Sequence, residues 1–571
     1  MNEFMINRYI VLVFCGLLSL QLLAQTPYLE LNSPVENLIR HYETTSGSFS
    51  NMLHTTVRPY SNGKLAAWMT EYSSLITDKS KTDHFNHNLM HSSLIPWADT
   101  QYYDSRRPVA RHFYRSKTHF YQIHEKDFDL MINPGFLVQV GTPNPDQYPV
   151  ITNIRAISVQ GSIGRKLGFY SFISENQLFP SQHELEYRIK WGSYPGAHLT
   201  KTFKTNGVDF FLARGYITFN PIPAINIQFG QDRNFIGYGI RSLLLSDFAT
   251  DYPFLKINTQ IWKLQYTNLY ARLTDRYGYV IGNKSIKPLP AKYMALHYLS
   301  LNLLSNLNVG LFEAVNFHDN HGDGRGFELS YLNPIIFYRS VEHQLGDPDK
   351  MTAGLTAAWL PKKNIRLYSQ LMINEFRLKD LRARNGSSGN KYGYQIGTDF
   401  TNLFGISNLD LKAEYNRIRP YSYTHYTVGS DDTYPVNSYS HYNQPLAHPV
   451  GANLSEWLVT LKTQPLPQLT ASLNFIHTNY GADTADSNWG NNIFLNYRNI
   501  EQELGNTVGQ GVATQINMFQ ALISYQLRYN LFIELDIRYR QLRSELPEQN
   551  SNLHLTALNI RYNLPYLPWM F

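Results

Sequence analysis

The sequence has 571 residues, with 50 Lys and Arg against 44 Asp and Glu, which gives a formal net charge of +6 at pH 7. This small excess is not clustered, because no block of five or more like charges occurs, and it argues against nucleic-acid binding. Charged residues are only 16% of the chain, whereas aromatic residues reach 14% and include 41 Tyr. Soluble domains have about 25% charged residues. Few charges and many tyrosines are typical of a lipid-facing surface with aromatic girdles.

The N-terminus has the pattern of a secretory signal peptide. One basic residue, Arg8, precedes an apolar run at 9–23, and we expect cleavage after Ala24, which makes 1–24 the signal peptide. A single membrane anchor is the alternative, but polar residues interrupt the run, and a spanning helix needs about 20 apolar residues. The only cysteine, Cys15, lies within this run, so the exported chain can form no disulfide bond.

The segment 25–126 alternates poorly and contains helix signals. Ser33 can cap a helix whose first turn holds Pro34 and Glu36, and 65–75 is a second helical candidate. We predict a small, partly helical element on the periplasmic side, packed against or into the mouth of the structure that follows. A mobile linker is the alternative, because the segment is rich in Ser, Asn, His and Thr.

From about residue 127 to residue 571, apolar and polar residues alternate with the period of β-strands. The run 533–540 is typical, with Ile533, Leu535, Ile537 and Tyr539 alternating with Glu534, Asp536, Arg538 and Arg540. The pattern recurs at 409–416, 469–475 and 523–529, and Asn530 would form the turn between two such strands. No apolar stretch after the leader approaches about 18 residues, so helices cannot span a membrane.

These features predict an all-β fold, a transmembrane antiparallel β-barrel formed by 127–571. At roughly 50 residues for each hairpin the barrel has about 18 strands. A soluble β-sandwich or propeller also alternates and is the alternative. The barrel is favoured by the terminal aromatic, Phe571, which resembles the assembly signal of outer-membrane barrels, although two prolines interrupt the tail. This aromatic follows an amphipathic last strand, in which the alternating apolar residues are Leu558, Ile560, Tyr562 and Leu564.

The segment 228–247 is dense in charged residues beside strand-like sequence. Charges at membrane depth are tolerated when they face the lumen and form pairs. We therefore predict an interior polar cluster, with either a structural role as an ion-pair lattice or plug support, or a ligand-binding role. The predicted cluster comprises Asp232, Arg233, Arg241, Asp247, Arg339 and Glu342.

No active-site signature is present. His183-Glu184 and His124-Glu125 lack the second histidine of a zinc-binding H-E-x-x-H motif, and 319–330 lacks ligands of a calcium loop. Neither G-x-S-x-G nor a P-loop occurs. We expect no catalytic residue, no metal and no cofactor, and we do not expect an enzyme. Three long polar stretches, 384–391, 421–449 and 478–491, are interpreted as extracellular loops whose aromatic residues could stack on sugars.

The chain resembles the Wzi-type capsule-assembly outer-membrane proteins, in particular the branch that includes the gliding-motility surface protein RemB. The resemblance covers most of the exported chain in the same order, including Ser33-Pro34 and Arg58-Pro59-Tyr60. Beside 228–247 it rests on four further stretches: 331–342, 367–376, 409–417 and 441–449.

This resemblance implies a barrel of about 18 strands that acts as a lectin and holds capsular polysaccharide at the cell surface. Its partners would be surface polysaccharide and outer-membrane lipid, and the protein would be a monomer without nucleic-acid partners. The RemB-like branch implies instead a surface component of gliding motility or secretion, with partners in the motility machinery or the periplasm. A channel or transporter is the third alternative.

Overall fold

The strands of this protein expose their apolar side chains and bury their polar ones. The computed structural model describes residues 27–77, 80–94, 109–144, 148–164, 166–280, 289–318, 329–334, 349–426 and 435–566. In one strand Leu535 and Ile537 are 37% and 42% exposed, whereas Glu534 and Asp536 are 1% and 0% exposed. A soluble β-sandwich would bury the apolar face instead. The outward apolar face therefore suits lipid, and the soluble alternative is wrong.

Within the described residues the barrel wall has 18 strands, each antiparallel to its neighbours. They are β1 (Phe128–Thr142), β2 (Val150–Ile163), β3 (Leu167–Phe179), β4 (Gly207–Ile222), β5 (Ile225–Asp232), β6 (Tyr252–Ile261), β7 (Leu264–Thr274), β8 (Ala291–Leu304), β9 (Leu307–His318), β10 (Lys350–Lys362), β11 (Ile365–Glu375), β12 (Lys391–Phe400), β13 (Leu409–Ile418), β14 (Leu454–Leu466), β15 (Leu469–Ala482), β16 (Val512–Arg528), β17 (Leu531–Ser544) and β18 (Ser551–Tyr562). The last strand pairs with the first, with Ile560 opposite Val138, and closes the barrel. Closure removes the unpaired edges that lipid does not tolerate. The predicted fold class and strand number are confirmed.

The two ends of the barrel differ in the length of their connections. Most turns at one end have two residues, as at Asn530, which lies between β16 and β17 with φ +50° as the sequence predicts. The other end carries long connections, including 180–206, 233–251, 419–453 and 483–511. In outer-membrane barrels the short turns face the periplasm and the long loops face outward. We refer to these as the turn end and the loop end.

In the described part of the chain before the barrel there are three helices: α1 (Pro34–Ser46), α2 (Asn62–Thr77) and α3 (Lys81–Leu94). Helix α1 begins as predicted, because the Ser33 hydroxyl accepts the backbone N–H of Glu36 and Pro34 occupies the first turn. It ends at Gly47, whose φ of +76° is left-handed. No helix in the described residues is long and apolar enough to cross a membrane.

The helical element has its own small core and is attached to the turn end. The rings of Trp68 and Tyr72 stack at 4.5 Å beside fully buried Ile39 and Leu65. Backbone hydrogen bonds join it to the wall, from Phe49 N to Ser305 O at 2.7 Å and from Asn364 N to Thr44 O at 2.9 Å. These contacts place the helices in the mouth of the barrel at the turn end.

The remaining elements are short. Helix α4 (Gln182–Trp191) lies in the β3–β4 loop and begins with a capping box of Ser181 and Glu184. The other helical elements are α5 (Tyr277–Val280), α6 (Leu378–Ala383) and the 3-10 turns Leu329–Leu332, Leu403–Gly405 and Pro547–Gln549. Two short strands extend the wall: Tyr121–Glu125 pairs with β1, and Lys201–Phe203 pairs with β4. Two further strand pairs are Val57–Arg58 with Phe235–Ile236 and Ser440–His441 with Gln444–Pro445.

The chain leaves the wall after Tyr562 and turns into the lumen. Asn563 has φ +48°, and Leu564 is only 8% exposed, whereas Leu558 and Ile560 are 55% and 40% exposed. Leu564 therefore does not share the outward face of Leu558 and Ile560, because the left-handed residue redirects the tail. The Tyr566 hydroxyl accepts a hydrogen bond from Gln520 Nε2 at 2.7 Å. Phe571 lies outside the described residues.

The loop 233–251, which we call the inward loop, enters the lumen from the loop end. Its strand Phe235–Ile236 pairs with Val57–Arg58 of the N-terminal element. Its three consecutive leucines, Leu243, Leu244 and Leu245, are fully buried in the largest hydrophobic cluster of the protein, against wall residues from β6 to β14. Segments from the two ends of the barrel therefore meet inside it and fill this part of the lumen.

A second long loop, 419–453, packs on the inward loop. The hydroxyls of Tyr423 and Tyr439 donate to the backbone carbonyls of Leu243 and Leu244 at 2.8 and 2.7 Å. Both tyrosines are at most 1% exposed, so the expectation that the aromatics of this loop serve as surface groups is wrong for them. They satisfy inward-loop carbonyls, which would be unfavourable if left unpaired.

Candidate functional site

One charged group of the lumen lies where the N-terminal element meets β4 and β5. Arg214 Nη2 donates to Glu30 Oε1 at 3.0 Å, and Arg214 Nη1 lies 3.5 Å from Asp232 Oδ1. The Arg214 guanidinium also lies over the Phe172 ring, 4.3 Å from its centroid. Burial raises the pKa of Glu30, and Arg214 opposes that rise. The group therefore links the N-terminal element to the wall.

Arg233 and Asp247 belong to the same neighbourhood. The backbone N–H of Arg233 donates to Asp232 Oδ1 at 2.9 Å, and Arg233 Nη1 donates to the backbone carbonyl of Asp247 at 3.1 Å. Asn32 Nδ2 donates to Asp247 Oδ2 at 2.8 Å. Hydrogen bonds thus connect Asp232, Arg233 and Asp247 in sequence through both ends of the inward loop.

Arg241 occupies a different network, on the opposite wall. Its guanidinium makes a bidentate pair with Glu456, at 3.0 and 3.3 Å, and both side chains are buried. Glu456 Oε1 also lies 2.9 Å from His448 Nε2. The backbone N–H groups of Ile240 and Arg241 donate to the Glu414 carboxylate at 2.7 and 3.1 Å. Two buried wall carboxylates therefore hold the tip of the inward loop.

The predicted cluster thus divides into two groups. In the described residues no hydrogen bond or ion pair joins Arg241 to Asp232, Arg233 or Asp247. Arg339 and Glu342 lie outside the described residues. The same residues contain no group of three His, Cys, Asp or Glu side chains suited to a metal ion.

The sequence reasoning missed several buried ion pairs. Arg366, which is fully buried, donates to Glu43 Oε2 of α1 at 2.6 Å and to Asp399 at 3.4 Å. Arg561 of β18 makes a bidentate pair with Glu534 of β17, at 2.6 to 3.3 Å. The available signal was the polar half of each alternating strand, which marks inward positions. Alternation does not identify their partners, which lie on neighbouring strands or on α1.

The turn of the inward loop requires glycine at 239. A β-carbon there would lie 2.3 Å from the backbone carbonyl oxygen of Arg241, 2.6 Å from Glu414 Oε2 and 2.7 Å from Gln395 Oε1. Those distances are shorter than any non-bonded carbon–oxygen contact, so both the backbone of the turn and the wall carboxylate would have to move.

We expect Gly239→Ala to lower the free energy of unfolding by about 1–3 kcal/mol, the usual effect of overpacking. Denaturant unfolding in detergent micelles measures this loss. The double variant with Glu414→Ala should lose less than the sum of the two single variants, because the part of the clash that involves the carboxylate is absent. Full additivity would show that the methyl group does not act through Glu414.

His54 gives the N-terminal element a pH dependence. It is 2% exposed, its Nδ1 lies 2.8 Å from Ser300 Oγ, and burial, with Lys64 adding to it, lowers its pKa from 6.5 to about 4. The folded protein therefore keeps His54 neutral between these values while the unfolded chain takes up a proton.

Stability should fall as the pH drops from 6.5 to 4, and the contribution of His54 should approach about 1.4 kcal/mol per pH unit. The measurement is the difference in unfolding free energy between the protein and His54→Gln across this range. Gln keeps a polar group beside Ser300 but does not titrate, so the difference isolates His54. A constant difference would contradict the prediction.

Two cavities flank the inward loop. The turn-end cavity, of about 320 Å³, lies between α1, α3 and strands β13 to β17. A smaller cavity, of about 100 Å³, lies against β1 to β4 and below the loop end. Glu534, Arg561 and Tyr566 line both cavities, so the Arg561–Glu534 ion pair stands between them.

Residues 172–492, which include the inward loop and its wall partners, match the family model described as capsule assembly protein Wzi. The chain belongs to the Wzi family. The match does not distinguish the RemB-like branch. Among curated protein sequences none matches the chain.

Solved structures are similar in fold. A structure described as Wzi, an outer-membrane protein involved in group 1 capsule assembly in Escherichia coli and a carbohydrate-binding β-barrel, aligns with a TM-score of 0.56 at 10% identity, over 95% of this chain and 100% of that one. OprD from Pseudomonas aeruginosa aligns with a TM-score of 0.40 at 11% identity, over 76% and 94%. OccK5 from the same organism aligns with a TM-score of 0.38 at 12% identity, over 77% and 98%.

Proposed function

We propose that this Wzi-family barrel binds and organises surface or capsular polysaccharide at the outer membrane, without catalysing a reaction. The inward loop carries the proposal, because three buried leucines and the Arg241–Glu456 pair fix it inside the lumen. A barrel filled in this way is better suited to presenting a rigid outer surface than to passing solutes. Membership of the Wzi family and the carbohydrate binding named for its Escherichia coli relative support the same function.

The glycan would contact the loop end. Tyr426 and Tyr497 are half-buried there, with ring centroids 5.7 Å apart, and the Arg498 guanidinium lies 3.9 Å from the Tyr426 centroid. Arg498 and its neighbour Asn499 are exposed. His425 stacks on Tyr426 and the Lys391 ammonium lies 3.1 Å from the Tyr497 centroid, so the two rings hold Arg498 in position. Exposed guanidinium and amide groups bind sugar hydroxyls. We propose a structural role for the charged residues that hold the inward loop inside the lumen, away from the surface loops. These residues are Asp232, Arg233, Asp247 and Arg241.

The proposal includes the arrangement of the chain in the cell. The leader 1–24 would be cleaved after Ala24, and 25–126 would lie on the periplasmic side, where the termini and the short turns are expected. The barrel, 127–571, would span the outer membrane as a monomer, in contact with outer-membrane lipid and with no nucleic-acid partner. The alternative is a role in gliding motility or secretion, with partners in the motility machinery or the periplasm. The test must distinguish this role from polysaccharide binding.

The test is deletion of the gene, followed by measurement of cell-attached and released polysaccharide and of colony spreading. A shift of polysaccharide from cells to medium is the expected result. Complementation with Tyr497→Ala should restore less attachment than complementation with Tyr148→Ala, an exposed tyrosine on another loop. Unchanged partitioning would refute polysaccharide binding, and lost spreading beside it would assign the protein to motility.

A further inference from the structure

The turn-end cavity differs from the rest of the lumen in its charge. Its lining includes five cationic side chains, Arg40, Arg58, Lys412, Lys462 and Arg561, but only two acidic ones, Asp247 and Glu534. Elsewhere in the lumen Arg241, Arg214 and Arg366 each pair with a carboxylate. The cavity volume of about 320 Å³ lies at the lower end of the range for small-ligand sites.

Most of these cations are already engaged, and two retain unused donors. Arg58 pairs with Glu36, Arg561 with Glu534, and Lys412 lies 3.2 Å from Asp399. Arg40 makes one hydrogen bond, from Nη2 to the Tyr238 carbonyl at 3.0 Å, and no ion pair among the described residues.

Lys462 has neither a hydrogen bond nor an ion pair within the described part of the chain. Its neighbour across the sheet is Asp410, whose carboxylate is bound instead by His41 Nδ1, at 2.7 Å, and by the backbone N–H of Asn402. Asp410 attracts the Lys462 ammonium electrostatically but does not contact it. A half-buried ammonium that faces a cavity and has no acceptor in contact with it favours an anionic ligand.

The neutral lining of the cavity is rich in hydroxyl and amide groups. Ser472 lies opposite Lys462 across the β14–β15 ladder, and Gln526 lies farther toward the turn end on β16. Neither side chain, nor that of exposed Asn37 on α1, makes a hydrogen bond within the described residues. These free donors are spread over three elements. A phosphate site would require donors that converge on one point, and these do not converge. Spread amides and hydroxyls suit a polyhydroxylated chain.

We propose that the turn-end cavity is a binding site for an acidic saccharide segment, with Lys462 and Arg40 binding its carboxylates and Ser472, Gln526 and Asn37 its hydroxyls. This inference rests on the proposed function for its ligand class, but it places a second site at the opposite end of the barrel from the surface loops. The site is accessible from the periplasmic side, where the saccharide would arrive before it reaches the outer surface.

The experiment is calorimetric titration of the full-length barrel in detergent micelles with trigalacturonate, maltotriose and inorganic phosphate. Trigalacturonate should bind, and maltotriose, with the same number of rings and no charge, should bind at least about tenfold more weakly. Lys462→Gln should weaken trigalacturonate binding about tenfold, and Lys462→Arg should retain it. Lys362→Gln makes the same charge change at an exposed turn-end position outside the cavity and should have no effect.

Equal binding of the two trisaccharides, full competition by phosphate, or binding insensitive to Lys462→Gln would each overturn the inference. The control for folding is gel electrophoresis after heating. Each variant is folded if it resists unfolding up to the same temperature as the unmodified protein. Polysaccharide retention on cells reports the surface site separately. If the unmodified barrel fails to bind trigalacturonate while polysaccharide retention on cells is normal, the turn-end site is refuted and the proposed function still stands.

Discussion

Replacing Arg366 by methionine should lower the free energy of unfolding by about 3–5 kcal/mol. The guanidinium is fully buried between Glu43 of α1 and Asp399 of β12, and Glu43 is itself fully buried. Methionine fills much of the same volume but leaves the buried Glu43 carboxylate without its cation, whereas Asp399 keeps Lys412 at 3.2 Å. Denaturant unfolding in micelles, followed by tryptophan fluorescence, measures the loss.

Arg382→Met is the matched control for this variant. Arg382 lies exposed on α6 in a loop, so the same chemical change should alter stability by less than about 0.5 kcal/mol. The double variant Glu43→Gln with Arg366→Met should be more stable than Arg366→Met alone, because the uncompensated charge is gone. Equal losses for Arg366→Met and Arg382→Met would show that the buried network does not stabilise the barrel.

Removing the tip of the inward loop should turn the barrel into a pore. Replacement of residues 236–246 by a short Gly-Ser linker deletes the three buried leucines and Arg241, and with them most contacts between the loop and the walls. Water would then occupy the space between β6 and β14. In planar lipid bilayers we expect the unmodified protein to give no stable conductance steps and the shortened variant to give discrete ones.

The control is a deletion of similar kind that leaves the lumen filled. Residues 378–384, which include α6, form an exposed part of the β11–β12 loop, and their removal should leave the conductance unchanged. Stable steps in the unmodified protein would show that solutes pass beside the inward loop. That result would favour the channel alternative.

Local rules predicted the wall of this protein well. The alternation of Ile533 with Glu534 fixes which side of β17 faces lipid, the turn at Asn530 sets the register of a hairpin, and Ser33 begins α1. Each of these features depends on neighbours within a few residues. The length of the alternating region, divided by roughly 50 residues for each hairpin, gives the number of hairpins and hence the number of strands.

The interior was not predictable in the same way. Leu243–Leu245 resembles membrane-facing sequence, and its burial in the lumen depends on wall residues of β7, β8 and β11 that are distant in sequence. The sequence around Tyr423 and Tyr439 is equally consistent with a surface loop. Their burial follows only from their hydrogen bonds to the carbonyls of Leu243 and Leu244, which the sequence does not reveal. Asp232 and Arg241 are close in sequence yet belong to separate networks, because the inward loop crosses the lumen between them.

The pairing of Val57–Arg58 with Phe235–Ile236 has a consequence for how the protein is made. The first of these strands precedes the barrel in the chain and the second lies between β5 and β6, so the pair can form only once the inward loop is in place. Packing of the interior therefore joins segments that are far apart in sequence. Contacts of such long sequence separation form slowly, and we expect docking of the N-terminal element to be a slow step of folding.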